Sequence, residues 1–294
     1  MNSRSVVFGL MAGALALSLC AAQSGVTGPV FRAEVRLVEV YAAVFDQRGR
    51  PVLGLNRENF VVADNGAPQD ILTFESAGSA LSCALLLDTT DSMSRAIPTV
   101  KNAALRLIDQ LGESDQVAVY GFSTSLRLLQ EFTANRSAAK RAVLGMRTGG
   151  GTALFDALAQ VARDLSGRKG KKAIIAFTDG DDNASFLNAT AALTRVRKTG
   201  IPLYTVAEGE ALSSKVLTHE LAEISRITGG LNYAARRSNE IEEIFQEITK
   251  ALNQTYMLAY TAPRPQDSKW RTIQLEVKGV KGARIRAKEG YIPD

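Results

Sequence analysis

Between residue 81 and about residue 252, short apolar runs alternate with segments of helical periodicity. The apolar runs cover residues 83–87, 117–122, 173–177 and 201–207. Uninterrupted runs of this length are typical of parallel strands that are buried on both faces. The segments between them space their apolar residues for one helix face, as in Leu154, Leu158, Val161 and Leu165. Because parallel strands need crossover connections, the pattern predicts an α/β fold: a doubly wound, mostly parallel, Rossmann-like sheet with helices on both faces.

The two flanks of this region have strand periodicity instead. Residues 33–45 alternate between apolar and polar side chains in two phases, and an Asn65-Gly66 turn follows. Ile273, Leu275 and Val277 alternate at the other end of the chain. Neither flank has enough strands to be stable alone. We therefore predict a small antiparallel β unit in which the N- and C-terminal flanks pair. This unit is a discontinuous β domain of residues 30–80 and 255–294, into which an α/β domain of residues 81–252 is inserted.

The N-terminus has the composition of an export signal. Arg4 precedes a short apolar run, and small residues lead to a cleavage site after Ala22, which predicts a Sec-type signal peptide over residues 1–22. Lipidation at Cys20 is the less favoured alternative, because the residue before a lipidated cysteine is normally small and here it is Leu19. No later apolar run approaches the length of a membrane span. We expect a secreted or periplasmic protein with no transmembrane segment in the mature chain.

Composition excludes several kinds of chemistry. The chain has one histidine, His219, which rules out multi-histidine metal sites, and its two cysteines form no zinc motif or disulfide framework. The net charge of +5 includes a basic segment over residues 168–172 and a basic strand region over residues 271–288. Both are interpreted as solvated surface. No phosphate-binding loop follows the glycines at 149–151, and no nucleic-acid partner is predicted.

Three polar loops follow predicted strands or precede a predicted helix. They cover residues 88–94 (DTTDSMS), 149–152 (GGGT) and 177–183 (FTDGDDN). In open α/β sheets, ligands bind outside the carboxyl ends of the strands, so the loops are expected to converge on one crevice. The candidate ligands there are Asp88, Thr90, Ser92, Thr152 and Asp179. Asp181 and Asp182 are interpreted as ordinary solvated turn residues.

The candidate ligands are all oxygen donors. Carboxylates and hydroxyls suit Mg²⁺, or Mn²⁺ or Ca²⁺, rather than zinc or copper. Octahedral Mg²⁺ takes six oxygens, so these side chains and waters leave a position open. About two carboxylates balance the charge of the cation. An Asp or Glu from a partner protein would therefore complete both its coordination and its neutrality.

These residues resemble a von Willebrand factor type A (vWA) domain with a metal-ion-dependent adhesion site. Asp88, Thr90 and Ser92 match the first motif of the family, Asp-x-Ser-x-Ser, with Thr in place of the first Ser. Thr152 resembles the separate Thr of the family, and Asp179 its separate Asp. The resemblance implies that the hydroxyls contact the metal directly and that the aspartates act partly through water. Asp91 departs from the family, which often has Gly there. It is either a tolerated turn residue or a modifier of the metal charge.

The flanking segments are similar to the ends of secreted bacterial vWA-related proteins of the type common in acidobacteria. The resemblance implies a metal-dependent protein-binding module, of adhesion type, that is not an enzyme. Two alternatives stay open: an envelope scaffold whose metal is only structural, and a metal-dependent hydrolase. The hydrolase is disfavoured because no general base is evident apart from the metal carboxylates.

Overall fold

The computed structural model describes residues 37–263, apart from Ser238, and residues 269–293. The predicted signal peptide, its cleavage site at Ala22 and Cys20 lie outside the described residues. The strands are β1 (Leu37–Phe45), β2 (Phe60–Asp64), β3 (Ala67–Gln69), β4 (Thr73–Glu75), β5 (Leu81–Asp88), β6 (Gln116–Phe122), β7 (Leu126–Thr133), β8 (Lys171–Thr178), β9 (Leu203–Glu208), β10 (Asn232–Ala235), β11 (Thr255–Thr261), β12 (Arg271–Val277), β13 (Arg284–Ala287) and β14 (Gly290–Tyr291). The α-helices are α1 (Ile97–Gln110), α2 (Arg136–Leu144), α3 (Leu154–Ser166), α4 (Ala189–Thr199), α5 (Lys215–Thr228) and α6 (Glu240–Asn253).

The central sheet has six strands in the order β10-β9-β8-β5-β6-β7. All neighbours pair in parallel except β6 and β7, which are antiparallel. Alternate side chains of β5 point to opposite faces, as expected for a strand buried on both sides. Leu85 packs in a core with α1, α2 and α6, whereas Leu86 packs in a second core with α3, α4 and α5. The predicted doubly wound sheet with helices on both faces is confirmed.

The flanks form two four-stranded antiparallel sheets, as the predicted antiparallel unit requires. One has the order β13-β1-β11-β4 and the other β14-β12-β2-β3. In each, strands from the two ends of the described chain pair: β1 with β11 and β13, and β2 with β12. One apolar core lies between the sheets, with Val40, Val62, Leu258 and Ile273 among its members. The pairing of the flanks is confirmed, while the domain boundaries at 30–80, 81–252 and 255–294 stay predictions.

The outer face of β1 and β11 carries a separate apolar cluster of Tyr41, Met257 and Ala259. Here the Tyr41 hydroxyl accepts a hydrogen bond of 3.2 Å from the Lys172 amide at the start of β8. The Lys172 ammonium lies 2.7 Å from Glu39. The β unit therefore contacts the central sheet at the amino-terminal end of β8, at the edge opposite the carboxyl ends of the parallel strands.

The interpretation of the two basic regions as solvated surface is wrong for four of their residues, which are buried or paired with a buried carboxylate. Lys171 and Lys172 are both buried. The Lys171 ammonium donates to the carbonyl oxygen of Ala77, and Lys172 pairs with Glu39. In the other region, Lys288 is buried and Arg271 pairs with the buried Asp64 at 2.6 Å. Charge count along a segment did not reveal these residues because their partners lie far away in sequence.

In the part of the chain that the structure describes, no helix is long and apolar enough to cross a membrane.

Candidate metal centre

The first candidate ligand, Asp88, ends the central strand β5 and is fully buried. Its Oδ1 accepts hydrogen bonds from the Thr90 amide at 2.9 Å and from the Thr90 hydroxyl at 2.7 Å. Its Oδ2 accepts one from the Thr178 hydroxyl at 2.8 Å. Burial raises the pKa of Asp88, and the hydrogen bonds from Thr90 and Thr178 oppose that rise. The loop after β5 and the end of β8 thus fix the carboxylate in one orientation.

A continuous chain of hydrogen bonds leads from Asp88 to Asp179. The Thr90 and Ser92 hydroxyl oxygens are 2.9 Å apart, and the Ser92 hydroxyl donates to Asp179 Oδ1 at 2.8 Å. Ser92 is exposed, whereas Asp88, Thr90 and Asp179 are buried. The chain therefore reaches solvent through Ser92.

Burial raises the pKa of Asp179 to about 6. The hydrogen bond from Ser92 opposes this rise, and the negative charges of Asp88 and Glu208 add to it. Two buried carboxylates whose negative charges disfavour each other are stabilised as anions by a nearby cation.

The glycine-rich loop brings Thr152 to the same place. A methyl group on Gly180 would lie 3.8 Å from Thr152 Oγ1 and 3.9 Å from Ser92 Oγ, so both hydroxyls flank Gly180. Gly150 has a φ of +90°, and a Cβ at this position would lie only 2.7 Å from Thr124 Oγ1. Both the backbone conformation and the lack of space therefore favour glycine there. The predicted convergence of the three loops is therefore seen in the structure.

Asp91 connects the first loop to the second. Its Oδ2 accepts a hydrogen bond of 3.2 Å from the Gly150 amide. Its backbone is right-handed, with φ of −63° and ψ of −34°, so tolerance of a left-handed turn does not explain why an aspartate stands there. The carboxylate fixes the glycine loop.

Sequence reasoning missed three polar residues that support the centre. Thr178 orients Asp88, and Asn183 Oδ1 accepts a hydrogen bond of 2.8 Å from the Thr152 amide. Asp182, interpreted as a solvated turn residue, accepts a hydrogen bond of 2.9 Å from the Phe155 amide at the start of α3. The only signal in the sequence was that these residues are polar and stand close to a predicted ligand. That signal does not show which groups each residue contacts.

The remaining ionisable candidates do not join the centre. His219 is exposed on α5 and lies 3.6 Å from Glu223, as expected for a surface helix residue. Within residues 37–263 and 269–293, no three carboxylate, imidazole or thiol side chains gather into a metal-binding group. The donor set consists of two carboxylates and three hydroxyls. It fits a hard divalent cation only because the hydroxyls take part.

An open, mostly parallel sheet with oxygen donors grouped at the carboxyl ends of its strands defines an α/β domain of the vWA class. The family model for the von Willebrand factor type A domain matches residues 83–247, and the chain belongs to this family.

Comparison with known proteins supports the same fold. The chain is similar to an uncharacterized protein of Synechocystis sp., with 28% identity over 199 residues, which cover 63% of this chain and 46% of that protein. The chain thus spans about half the length of the curated relative it matches. A solved von Willebrand factor type A structure from Catenulispora acidiphila has a TM-score of 0.52 and 18% identity, covering 87% of this chain and 73% of its own. Proximal thread matrix protein 1 from the mussel byssus has a TM-score of 0.52 and 17% identity, covering 69% and 51%.

Proposed function

We propose that this protein binds a divalent cation through Asp88, Thr90, Ser92, Thr152 and Asp179, and that it captures an Asp or Glu carboxylate of a partner protein there. The observation that carries the proposal is the hydrogen-bond chain from Asp88 to Asp179, which holds four oxygen donors together across two loops. Membership of the vWA family supports it, because vWA domains commonly bind protein partners. Mg²⁺ is the proposed cation, with Mn²⁺ and Ca²⁺ as alternatives of the same chemistry.

The residues around the centre have separate tasks in this proposal. Thr178 and Thr90 hold the Asp88 carboxylate in place, and Asn183 holds Thr152 through its backbone. Ser92 presents its hydroxyl at the surface. When bound, the cation supplies positive charge and a coordination position for the partner's carboxylate oxygen.

We propose that the protein acts outside the cytoplasm, secreted or periplasmic. The N-terminal 22 residues carry this proposal through their charge and apolar pattern. We propose a binding function rather than an enzymatic one, since the proposed ligands are two aspartates and neutral hydroxyls, and aspartates that hold the cation are not available as a general base.

Calorimetric titration with Mg²⁺ tests the centre directly. We expect binding to the wild type and loss of binding in Asp179→Ala. Asp181→Ala is the matched control, because Asp181 is an exposed carboxylate two residues away and is expected to be dispensable. Unchanged affinity in Asp179→Ala would contradict the assignment of the centre.

Affinity capture from an envelope extract tests the function. A partner bound in Mg²⁺ should be released by chelator and should bind Thr152→Ala weakly. If Mg²⁺ binds but capture is indifferent to chelator, the metal is structural and the scaffold alternative is correct. Turnover of a substrate that depends on Mg²⁺ would instead support the hydrolase.

A further inference from the structure

Phe186, in the loop between β8 and α4, has a side chain that is 99% exposed. The backbone beneath it is fixed by Asp156 in the first turn of α3. Asp156 Oδ2 accepts a hydrogen bond of 2.8 Å from the Phe186 amide, and Oδ1 accepts one of 3.0 Å from the Leu187 amide. A single carboxylate thus holds both amides at the tip of the loop.

The preceding part of the loop is attached to α3 as well. Asp182 accepts hydrogen bonds from the Ser185 amide at 3.1 Å and from the Ser185 hydroxyl at 2.6 Å. The Ser185 hydroxyl oxygen in turn accepts one of 3.0 Å from the Asp156 amide. Phe186 therefore extends from a segment whose backbone conformation is set in advance.

The same loop borders the candidate metal centre. The Asn183 and Ala184 amides donate to the Thr152 carbonyl oxygen at 2.9 and 3.0 Å. Phe186 follows Asn183 by three residues, so its Cα lies at most about 11 Å from that of Asn183. A partner segment in extended conformation would span this distance with three or four residues.

Packing within the domain does not account for Phe186. Phe155, at the start of α3, packs against the apolar core on its side of the sheet, whereas the ring of Phe186 is left in water. A single exposed apolar side chain is common on protein surfaces. Here, however, the exposed ring is an aromatic on a fixed backbone beside a binding site. Such residues contribute strongly to interfaces, because little conformational freedom is lost when they are covered.

We propose that Phe186 is the apolar anchor of the partner-binding surface, and this rests on the proposed function. The partner is a protein segment in which the acidic residue captured at the metal centre stands within about four residues of a large apolar side chain. That apolar side chain packs on the Phe186 ring. The surface therefore selects among acidic segments by their apolar neighbours.

Short synthetic peptides test the selection. Each carries one Asp, with Leu at one of the four following or preceding positions, and a matched peptide carries Ser in place of Leu. Fluorescence anisotropy in Mg²⁺ is expected to show a preference of about tenfold for the best Leu peptide over its Ser match. In Phe186→Ser that preference should disappear, while the calorimetric affinity for Mg²⁺ stays unchanged. Leu144→Ser, which alters an exposed apolar residue on α2, is the matched control and should keep the preference.

The outcomes separate this inference from the proposed function. If the wild type binds acidic peptides only in Mg²⁺ but has no preference for Leu, or keeps its preference in Phe186→Ser, the anchor is wrong and the metal-dependent capture stands. If no acidic peptide binds in a chelator-sensitive manner, both are wrong.

Discussion

The Ser92 hydroxyl donates a hydrogen bond of 2.8 Å to Asp179 Oδ1, and 87 positions of sequence separate the two residues. This contact joins the loop after β5 to the loop after β8. Because β5 and β8 are neighbours in the sheet, their carboxyl ends place both loops at the same edge. The order of strands in the sheet therefore brings the two loops together. Substitutions at different residues of the candidate site are expected to have different effects on stability and on metal binding.

Asp88→Ala is expected to lower the free energy of unfolding by about 2–4 kcal/mol, because the buried Thr90 and Thr178 hydroxyls and the Thr90 amide all lose the carboxylate that accepts their hydrogen bonds. Asp179→Ala removes one acceptor at the end of the chain and should cost about 1 kcal/mol. Urea denaturation of both variants measures the difference. Equal stabilities would contradict the distinct environments of the two carboxylates.

Mg²⁺ is expected to raise the melting temperature of the wild type, since a ligand that binds only the folded state stabilises it by mass action. Asn183→Ala should reduce this effect, because Asn183 holds the backbone of Thr152. Differential scanning fluorimetry with increasing Mg²⁺ measures both. Asp181→Ala serves again as the control, and an equal response of all three proteins would remove Asn183 from the support of the centre.

Lys288→Met is expected to stabilise the protein at pH 7 by about 1–3 kcal/mol. Burial lowers the pKa of Lys288 from 10.5 to about 8, although Glu39 opposes this. Between pH 8 and 10.5 the unfolded chain holds a proton that the folded chain has lost, so the stability of the wild type rises with pH there. The advantage of the variant should shrink over this window. Denaturant unfolding of both proteins at several pH values measures the difference, and a constant gap would contradict the lowered pKa.

Cys83 is expected to resist thiol reagents in the folded protein. It is fully buried in β5, and burial raises the pKa of its thiol, so little thiolate forms and none is accessible. A colorimetric thiol assay should show reaction only in denaturant. Rapid reaction in native buffer would mean that the central strand opens readily.

Apolar pattern predicted the central strands well, because side chains buried on both faces leave a continuous signal, as in β5 and β8. The edge strands β7 and β10 escaped prediction. Both carry exposed residues and so lack that signal. Spacing after the strands also located the candidate ligands, since strand ends in a parallel sheet share one edge.

The apolar and polar pattern of the sequence did not predict the roles of residues whose partners are distant in sequence. Lys172 belongs to a run of basic residues and gives no sign that Glu39 lies beside it. Asp156 looks like an ordinary residue of a helix first turn, yet it holds the tip of a loop that begins after β8. Such roles depend on tertiary contacts, which one sequence does not encode locally.

The pairing of the first described strand with β11 and β13 sets an order on folding. The turn after β1 makes only a short bridge back to it, where the Val52 amide donates to the Val44 carbonyl oxygen at 2.8 Å. The strands that pair with β1 near its two ends are distant in sequence, since Leu37 pairs with Thr261 and Phe45 with Arg284. During synthesis, most of β1 therefore has no strand to pair with until residues 255–287 have been added to the chain. The apolar side chains of β1 are therefore covered only after a contact across more than 200 residues has formed, and loop closure over this distance is slow. The strands of the α/β sheet pair over shorter stretches of sequence, so this sheet has time to form first. It then presents the surface on which β1, β11 and β13 assemble.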